Sequence, residues 1–173
     1  TIISNNIKCD FPFLEIKIKN LHISPGWLDL HCNIPDPGFE HRETICSGLK
    51  SAAKGGFTSI VTTPHTYPTV DTKSDVLFLI KESINTIVDI HPTACITKKL
   101  EGKEITEMYD MHTTGAIAFS DGKKYIKNSM LMNIALEYVK NFNGLIMVTS
   151  IDSDLNQMGQ INEGKFSTLT GLN

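Results

Sequence analysis

Short apolar runs alternate with amphipathic stretches along most of this chain, and the period of each run fixes the element it predicts. Leu14 to Lys19 sets Leu14, Ile16 and Ile18 against Glu15, Lys17 and Lys19, the two-residue period of a half-exposed antiparallel strand. Pro25-Gly26 breaks the chain, and Trp27 to Cys32 follows as a first buried strand. Residues 41–54 carry Ile45, Leu49 and Ala52-Ala53 at helical spacing, and Gly55-Gly56 stops that helix. Phe57 to Thr62 is a β-branched strand ending near Pro64. Ser74 or Asp75 caps a helix running through Val88, with Val76, Leu77, Ile80, Ile84 and Ile87 on its inner face.

The same alternation continues to residue 148. His91 to Ile96 reads as a third strand, Glu104 to His112 as a short helix and Gly115 to Phe119 as a fourth buried strand. Asn128 or Ser129 caps a helix reaching about Phe142, with Met130, Leu131, Met132 and Ile134 as its core contacts, and Gly144 to Val148 is a fifth strand. From Asp152 onward there is no strong periodicity, and a loop region is expected. Strands spaced by helices imply right-handed βαβ units and a parallel sheet, in an α/β fold of about five such units. Either a doubly wound sheet or a (β/α)8 barrel accommodates them, although a barrel takes about 250 residues and this chain has 173.

Composition narrows the function classes. With 40% hydrophobic and 20% charged residues the chain is an ordinary globular sequence, and a net charge of -3 gives no reason to expect nucleic acid or an anionic membrane as partner. No apolar run approaches the roughly 20 residues that cross a bilayer, and the first residues lack the basic and apolar regions of a secretory signal. Cys9, Cys32, Cys46 and Cys95 are scattered and form no Cys-x-x-Cys pair, which suits a reduced, cytoplasmic protein. No Gly-x-Gly-x-x-Gly or phosphate-loop motif follows a strand, and no Gly-x-Ser-x-Gly or Cys/His nucleophile pair is present.

The strand ends, taken together, carry a resemblance. Pro25-Gly26-Trp27-Leu28-Asp29-Leu30-His31 resembles the opening of the amidohydrolase superfamily. Asp36-Pro37-Gly38, Glu43-Thr44, Gly55-Gly56-Phe57-Thr58 and Thr63-Pro64-His65-Thr66-Tyr67-Pro68 resemble dihydroorotases within it. So do Ile96-Thr97-Lys98, Leu100-Glu101-Gly102-Lys103-Glu104, Ala116-Ile117-Ala118-Phe119-Ser120-Asp121-Gly122 and Asn162-Glu163-Gly164, in family order over residues 24–173. The resemblance implies a partial (β/α)8 barrel over 24–173 with residues 1–23 as part of a small flanking β segment. It also implies a zinc-dependent chemistry that interconverts dihydroorotate and carbamoyl aspartate in pyrimidine synthesis, with zinc lowering the pKa of a bound water.

Carried over position by position, the resemblance places His31 at the first metal histidine and Asp121 at the metal-bridging aspartate. Asn33 stands at the second metal histidine, where a neutral amide substitutes poorly for imidazole. Pro35 replaces a substrate-binding arginine, His65 a substrate-binding asparagine and Thr149 the histidine that closes the fifth strand. His31 and Asp121 are therefore the retained, vestigial ligands, and His65 and Asn33 the candidate substrate contacts. Without partners, His31 also reads as a hydrogen-bonded core histidine, His65 as a turn residue and Asp121 as a turn or cap residue. Lys98, Lys99 and Lys103 around Glu101 suit a solvated loop, and Cys32, on the strand face opposite His31, a small buried hydrophobe.

Three functions remain. One is a catalytically impaired dihydroorotase-like protein with a structural or partner-binding role, zinc being absent or weakly held. Another is a working cyclic-amide hydrolase using His31, His65 and Asp121 on one metal, and the last is a fragment of a longer dihydroorotase. An open half-barrel exposes sheet edges and apolar strand faces, so self-association or a partner that covers them is expected, and the resemblance implies an aspartate carbamoyltransferase-like partner.

Overall fold

A computed structural model of the chain describes residue 12, residues 18–149, residue 151 and residues 160–172. Four strands, β1 (Trp27–Cys32), β2 (Phe57–Thr62), β3 (Asp89–Ala94) and β4 (Ala118–Phe119), lie in the order β1-β2-β3-β4, every pair parallel. Each neighbouring pair is linked by a crossover containing a helix: α1 (Ile45–Lys54), α2 (Lys73–Glu82) and α3 (Met108–Thr114). This is the sequential winding of a barrel rather than the reversing order of a doubly wound sheet. The helices α4 (Ser129–Lys140) and α5 (Lys165–Thr170) follow.

Local chemistry explains the boundaries. Thr44 caps α1, its hydroxyl accepting from the Ser47 amide at 3.2 Å while the Ser47 hydroxyl accepts from the Thr44 amide at 3.1 Å. Asp36 takes the Ile45 amide at 2.8 Å, so a residue of the Asp-Pro-Gly motif holds the same helix end. Gly26 admits Thr58 so closely that a Cβ there would lie 2.1 Å from its methyl group, which seats the start of β1 against β2. The cap of α4 is Asn128, whose side-chain oxygen accepts from Met130 and Leu131.

One core lies between the sheet and its helices. Ile45 and Leu49 of α1, Val76 and Leu79 of α2, Met108 and Met111 of α3 and Ala135 and Val139 of α4 join Ile60, Ile90 and Phe119 of the strands. Phe142 is packed edge-on against Phe119, Tyr109 and Tyr138, tying α3, β4 and the end of α4 together.

Several expectations are corrected. The first strand keeps its predicted bounds but is not buried: Trp27, Leu28 and Leu30 are 61%, 52% and 62% exposed, because among the described residues β1 is an edge strand paired with β2 alone. The second helix starts at Lys73 after Thr72, with Asp75 reaching back to the Thr72 amide at 3.0 Å, and stops at Glu82. The hydroxyl of Ser83 bonds the Ile80 carbonyl, that of Thr86 the Ser83 carbonyl, and Asn85 takes a left-handed φ of 66°, so the helix cannot continue to Val88. Its buried stripe is Val76 and Leu79, while Leu77, Ile84 and Ile87 are exposed.

The third strand begins two residues early, at Asp89, and ends at Ala94; the third helix is Met108–Thr114, not 104–112. The fourth strand shrinks to Ala118–Phe119, and the fifth to one parallel bridge, Phe119 with Ile146, whose bonds run from the Phe119 amide to Leu145 and from the Met147 amide to Phe119. The α4 core contacts are Ala135 and Val139, whereas Met130 and Ile134 are exposed. The terminal region contains α5, which buries no side chain. The alternating segment Leu14–Lys19 lies largely outside the described residues.

Candidate functional site

Every residue singled out at a strand end comes to the carboxyl edge of the parallel sheet, where barrel enzymes build their sites. His31 sits in β1, Asn33 and Pro35 just beyond it, Thr63 and His65 just beyond β2, and Asp121 two residues after β4. A cleft of about 710 Å3 opens there, lined by His31, Asn33, Pro35, Thr63 and His65 together with Arg42, Lys123 and Lys124. A smaller cavity of about 190 Å3 lies on the side of Asp121, Gly122 and Thr149. Sequence position thus collects the expected residues at one rim and divides them between two adjoining hollows.

Asp121 is almost fully buried, and both of its oxygens are in use. One accepts the Ile96 amide at 2.9 Å and the Thr97 amide at 3.0 Å, and the other accepts the Thr97 hydroxyl. Those donors lie in the loop that follows β3, so the carboxylate laces the end of β4 to the segment leaving β3. Thr97, fully buried, is the partner that sequence reasoning missed. Nothing in the local sequence of Asp121 points to a threonine 24 residues upstream.

The other matched positions are also hydrogen-bonded within the chain. The side-chain oxygen of Asn33 accepts from the Thr63 hydroxyl at 3.2 Å, linking the ends of β1 and β2. The Thr149 hydroxyl donates to the Gly122 carbonyl at 2.8 Å. His31 is exposed at the cleft rather than buried in the core, and its backbone amide bonds the Asp29 carboxylate at 2.9 Å.

His65 differs from these. Its Nε2 is buried and has no hydrogen-bond partner among the described residues. The ring lies over Gly122, where a Cβ would come within 1.7 Å of Cε1, so only glycine leaves room for it. Burial holds the imidazole pKa below its ordinary value, Lys124 and Lys123 add to the depression, and Asp121 opposes it. The ring is neutral near pH 7.

Zinc is the metal that the resemblance implies, and the donors do not fit a dinuclear centre of it. Two imidazoles and one fully engaged carboxylate are what the matched positions supply, where a zinc hydrolase site uses three or more protein ligands plus water. Among the described residues no group of three or more His, Cys, Asp or Glu side chains is gathered for a metal ion. Cys95 adjoins Ile96 but its thiol is pushed far above the ordinary range by burial, with Asp121 and Asp71 adding to the rise, so it is no thiolate donor.

A model of the family described as dihydro-orotase-like matches residues 21–173. The chain belongs to that family. Curated dihydroorotases agree with it: that of Syntrophus aciditrophicus is 39% identical over 158 residues, covering 91% of this chain and 37% of its own length. Those of Acetivibrio thermocellus and Caldicellulosiruptor saccharolyticus are 42% and 41% identical, each across 87% of this chain and 35% of their own. This dihydroorotase-like chain therefore spans little more than a third of the length of the curated relatives it matches. Among solved structures, the L-hydantoinase (dihydropyrimidinase) of Arthrobacter aurescens superposes with a TM-score of 0.58 at 24% identity, covering 72% of this chain and 29% of that one. The likeness is one of fold: a parallel sheet wound in sequence order with its helices.

The cations of the cleft were not among the residues predicted for the site. Lys123 and Lys124 directly follow the Asp121-Gly122 motif, and Arg42 precedes Glu43-Thr44. Their nearness to quoted motifs was the available signal. No helix of the described residues is long and apolar enough to cross a membrane.

Proposed function

We propose that this chain forms the opening strands of a dihydroorotase-like barrel that binds at its cleft and at its open edge without hydrolysing through zinc. The observation that carries this reading is the double engagement of Asp121, the one carboxylate at a metal-matching position. Bound to two buried amides and a buried hydroxyl, it is a structural lace between β3 and β4. Asn33 and Thr149 support the reading in the same way, each hydrogen-bonded where the family resemblance calls for an imidazole.

The binding role draws on β1. Its Trp27, Leu28 and Leu30 leave a two-sided apolar edge open, which supports association with a second copy or with an aspartate carbamoyltransferase-like partner in pyrimidine synthesis. A second reading, a single metal on His31, His65 and Asp121, is favoured by the unfilled Nε2 of His65. It requires Asp121 to surrender one of its present donors.

The test is metal content and dihydroorotate turnover measured together on the full chain, as purified and after addition of zinc. The expected outcome is less than stoichiometric zinc and no turnover. Stoichiometric zinc with turnover that chelation abolishes would overturn the proposal in favour of the altered-ligand hydrolase.

A further inference from the structure

The loop that follows β3 contains a turn that its own residues resist. The Glu101 amide bonds the Lys98 carbonyl at 3.1 Å, and both residues between them stand at positive φ, Lys99 at 54° and Leu100 at 56°. That is the pattern of a type I′ turn, whose central positions favour glycine and asparagine. A Cβ in the left-handed region crowds the following carbonyl, so lysine and leucine carry that cost at both places. The other non-glycine residues at positive φ among those described, Asn20, Asn85 and Asn143, are all asparagines, which tolerate it well.

A short set of contacts holds the turn. The loop is closed at its base, where the Lys98 amide bonds the Glu104 carbonyl and the Thr106 amide the Ile96 carbonyl, each at 2.9 Å. Inside it, Asp71 accepts the Lys99 amide at 2.9 Å and the Thr97 hydroxyl oxygen accepts the Gly102 amide at 3.0 Å. The ion pairs Lys98–Glu104 and Lys103–Glu101 lie in solvent and add little. Leu100 is the one buried residue from 98 to 104, only 5% exposed, and it lines the strand-end cleft. Burial of one leucine returns about as much as two left-handed residues cost, so the arrangement sits close to balance.

We propose that residues 98–104 form a latch on the cleft, closed while Leu100 is seated in its wall and open when the turn relaxes to negative φ and withdraws the leucine. The hinges are Thr97 and Ile105, joined by an antiparallel bridge that both states keep. Thr97 also donates to Asp121, which anchors the inner hinge to the segment after β4. Opening gives up the Asp71 bond and the burial of Leu100, and release of the two strained residues offsets the loss. Removing Leu100 takes away part of the cleft wall and widens the entry. The latch goes beyond the proposed function, since it belongs to the loop whatever the cleft binds.

Hydrogen exchange of the full chain, followed residue by residue by NMR and corrected for intrinsic rates, tests it. The Glu101 and Gly102 amides are expected to exchange through a local opening that leaves β2 and β3 protected. Lys99→Gly, which removes the left-handed cost at that residue, should slow both about threefold or more. Leu100→Ala, which leaves less to bury, should speed both about tenfold or more. Neither change should alter exchange in β2 or β3. Access is read separately by maleimide labelling of Thr63→Cys, a buried position in the cleft, which should be faster with Leu100→Ala and slower with Lys99→Gly. Loop amides that exchange only in step with β2 and β3, no slowing in Lys99→Gly, or labelling indifferent to both changes overturns the inference. Zinc-dependent turnover with these rates as expected would overturn the proposed function and leave the latch standing.

Discussion

Replacing Asp121 with alanine tests the assignment of its carboxylate to structure. The change strands three donors that have no other acceptor among the described residues: the amides of Ile96 and Thr97, at residues with no solvent exposure, and the Thr97 hydroxyl. Leaving a buried amide unsatisfied costs about 1–3 kcal/mol, so the two amides alone cost about 2–6 kcal/mol before relaxation. The hydroxyl can turn elsewhere, and it still accepts the Gly102 amide at 3.0 Å, so it adds little. A loss of about 4 kcal/mol is expected, near the top of what single substitutions do. Asp121→Asn keeps one oxygen for both amides and offers its new N–H group to the Thr97 oxygen, so about 1 kcal/mol is expected. Urea unfolding followed by circular dichroism measures both, and a double-mutant cycle with Thr97→Val isolates the pair. A loss below about 1 kcal/mol for Asp121→Ala would refute the lacing argument. A zinc affinity that falls while stability holds would do the same and return Asp121 to the role of ligand.

Other outcomes are expected elsewhere. Gly122→Ala places a Cβ at 1.7 Å from the His65 ring at a residue with a φ of 60°, so it should cost about 2 kcal/mol and shift the His65 resonances; an unchanged spectrum would contradict the stacking. Because folding lowers the pKa of His65, the unfolded chain binds its proton more readily. Stability from this group is complete above the ordinary histidine pKa and declines as pH falls below it; a urea midpoint in His65→Gln with the same slope between pH 7 and 5 would refute this. Thiol labelling should modify exposed Cys46 quickly and leave buried Cys95 protected until unfolding, read by peptide mass spectrometry. Asp36→Ala should destabilise by about 1 kcal/mol through the lost α1 contact, visible as a lower thermal midpoint.

What the sequence disclosed followed from how local each signal was. The bounds of β1 and β2 emerged intact because Pro25-Gly26 and Gly55-Gly56 punctuate them, and the α4 start because Asn128 is a strong cap. Helix α2 was overextended because Leu77, Ile84 and Ile87 keep helical spacing beyond the point where Ser83 and Thr86 hydroxyls claim the carbonyls. Burial of β1 could not be read from its apolar residues, since an edge strand is covered only by whatever lies beside it. At the site, strand-end position placed His31, Asn33, His65 and Asp121 at one rim. The partners that decide their chemistry, Thr97 for Asp121 and Thr63 for Asn33, lie 24 and 30 residues away and leave no local trace.

The neighbour-by-neighbour strand order has a kinetic meaning as well. Substantial contacts between the named strands and helices join only those next or next but one along the chain, such as β1 with β2, α1 with β2 and α2 with α3. No strand waits for a segment beyond the next unit before it can pair, so assembly can proceed unit by unit as the polypeptide lengthens. Such a chain resembles a short solenoid in its energetics, each unit stabilised by the one beside it. Amide exchange should then be graded across the sheet, slowest in β2 and β3, which are paired on both sides, and fastest in β1.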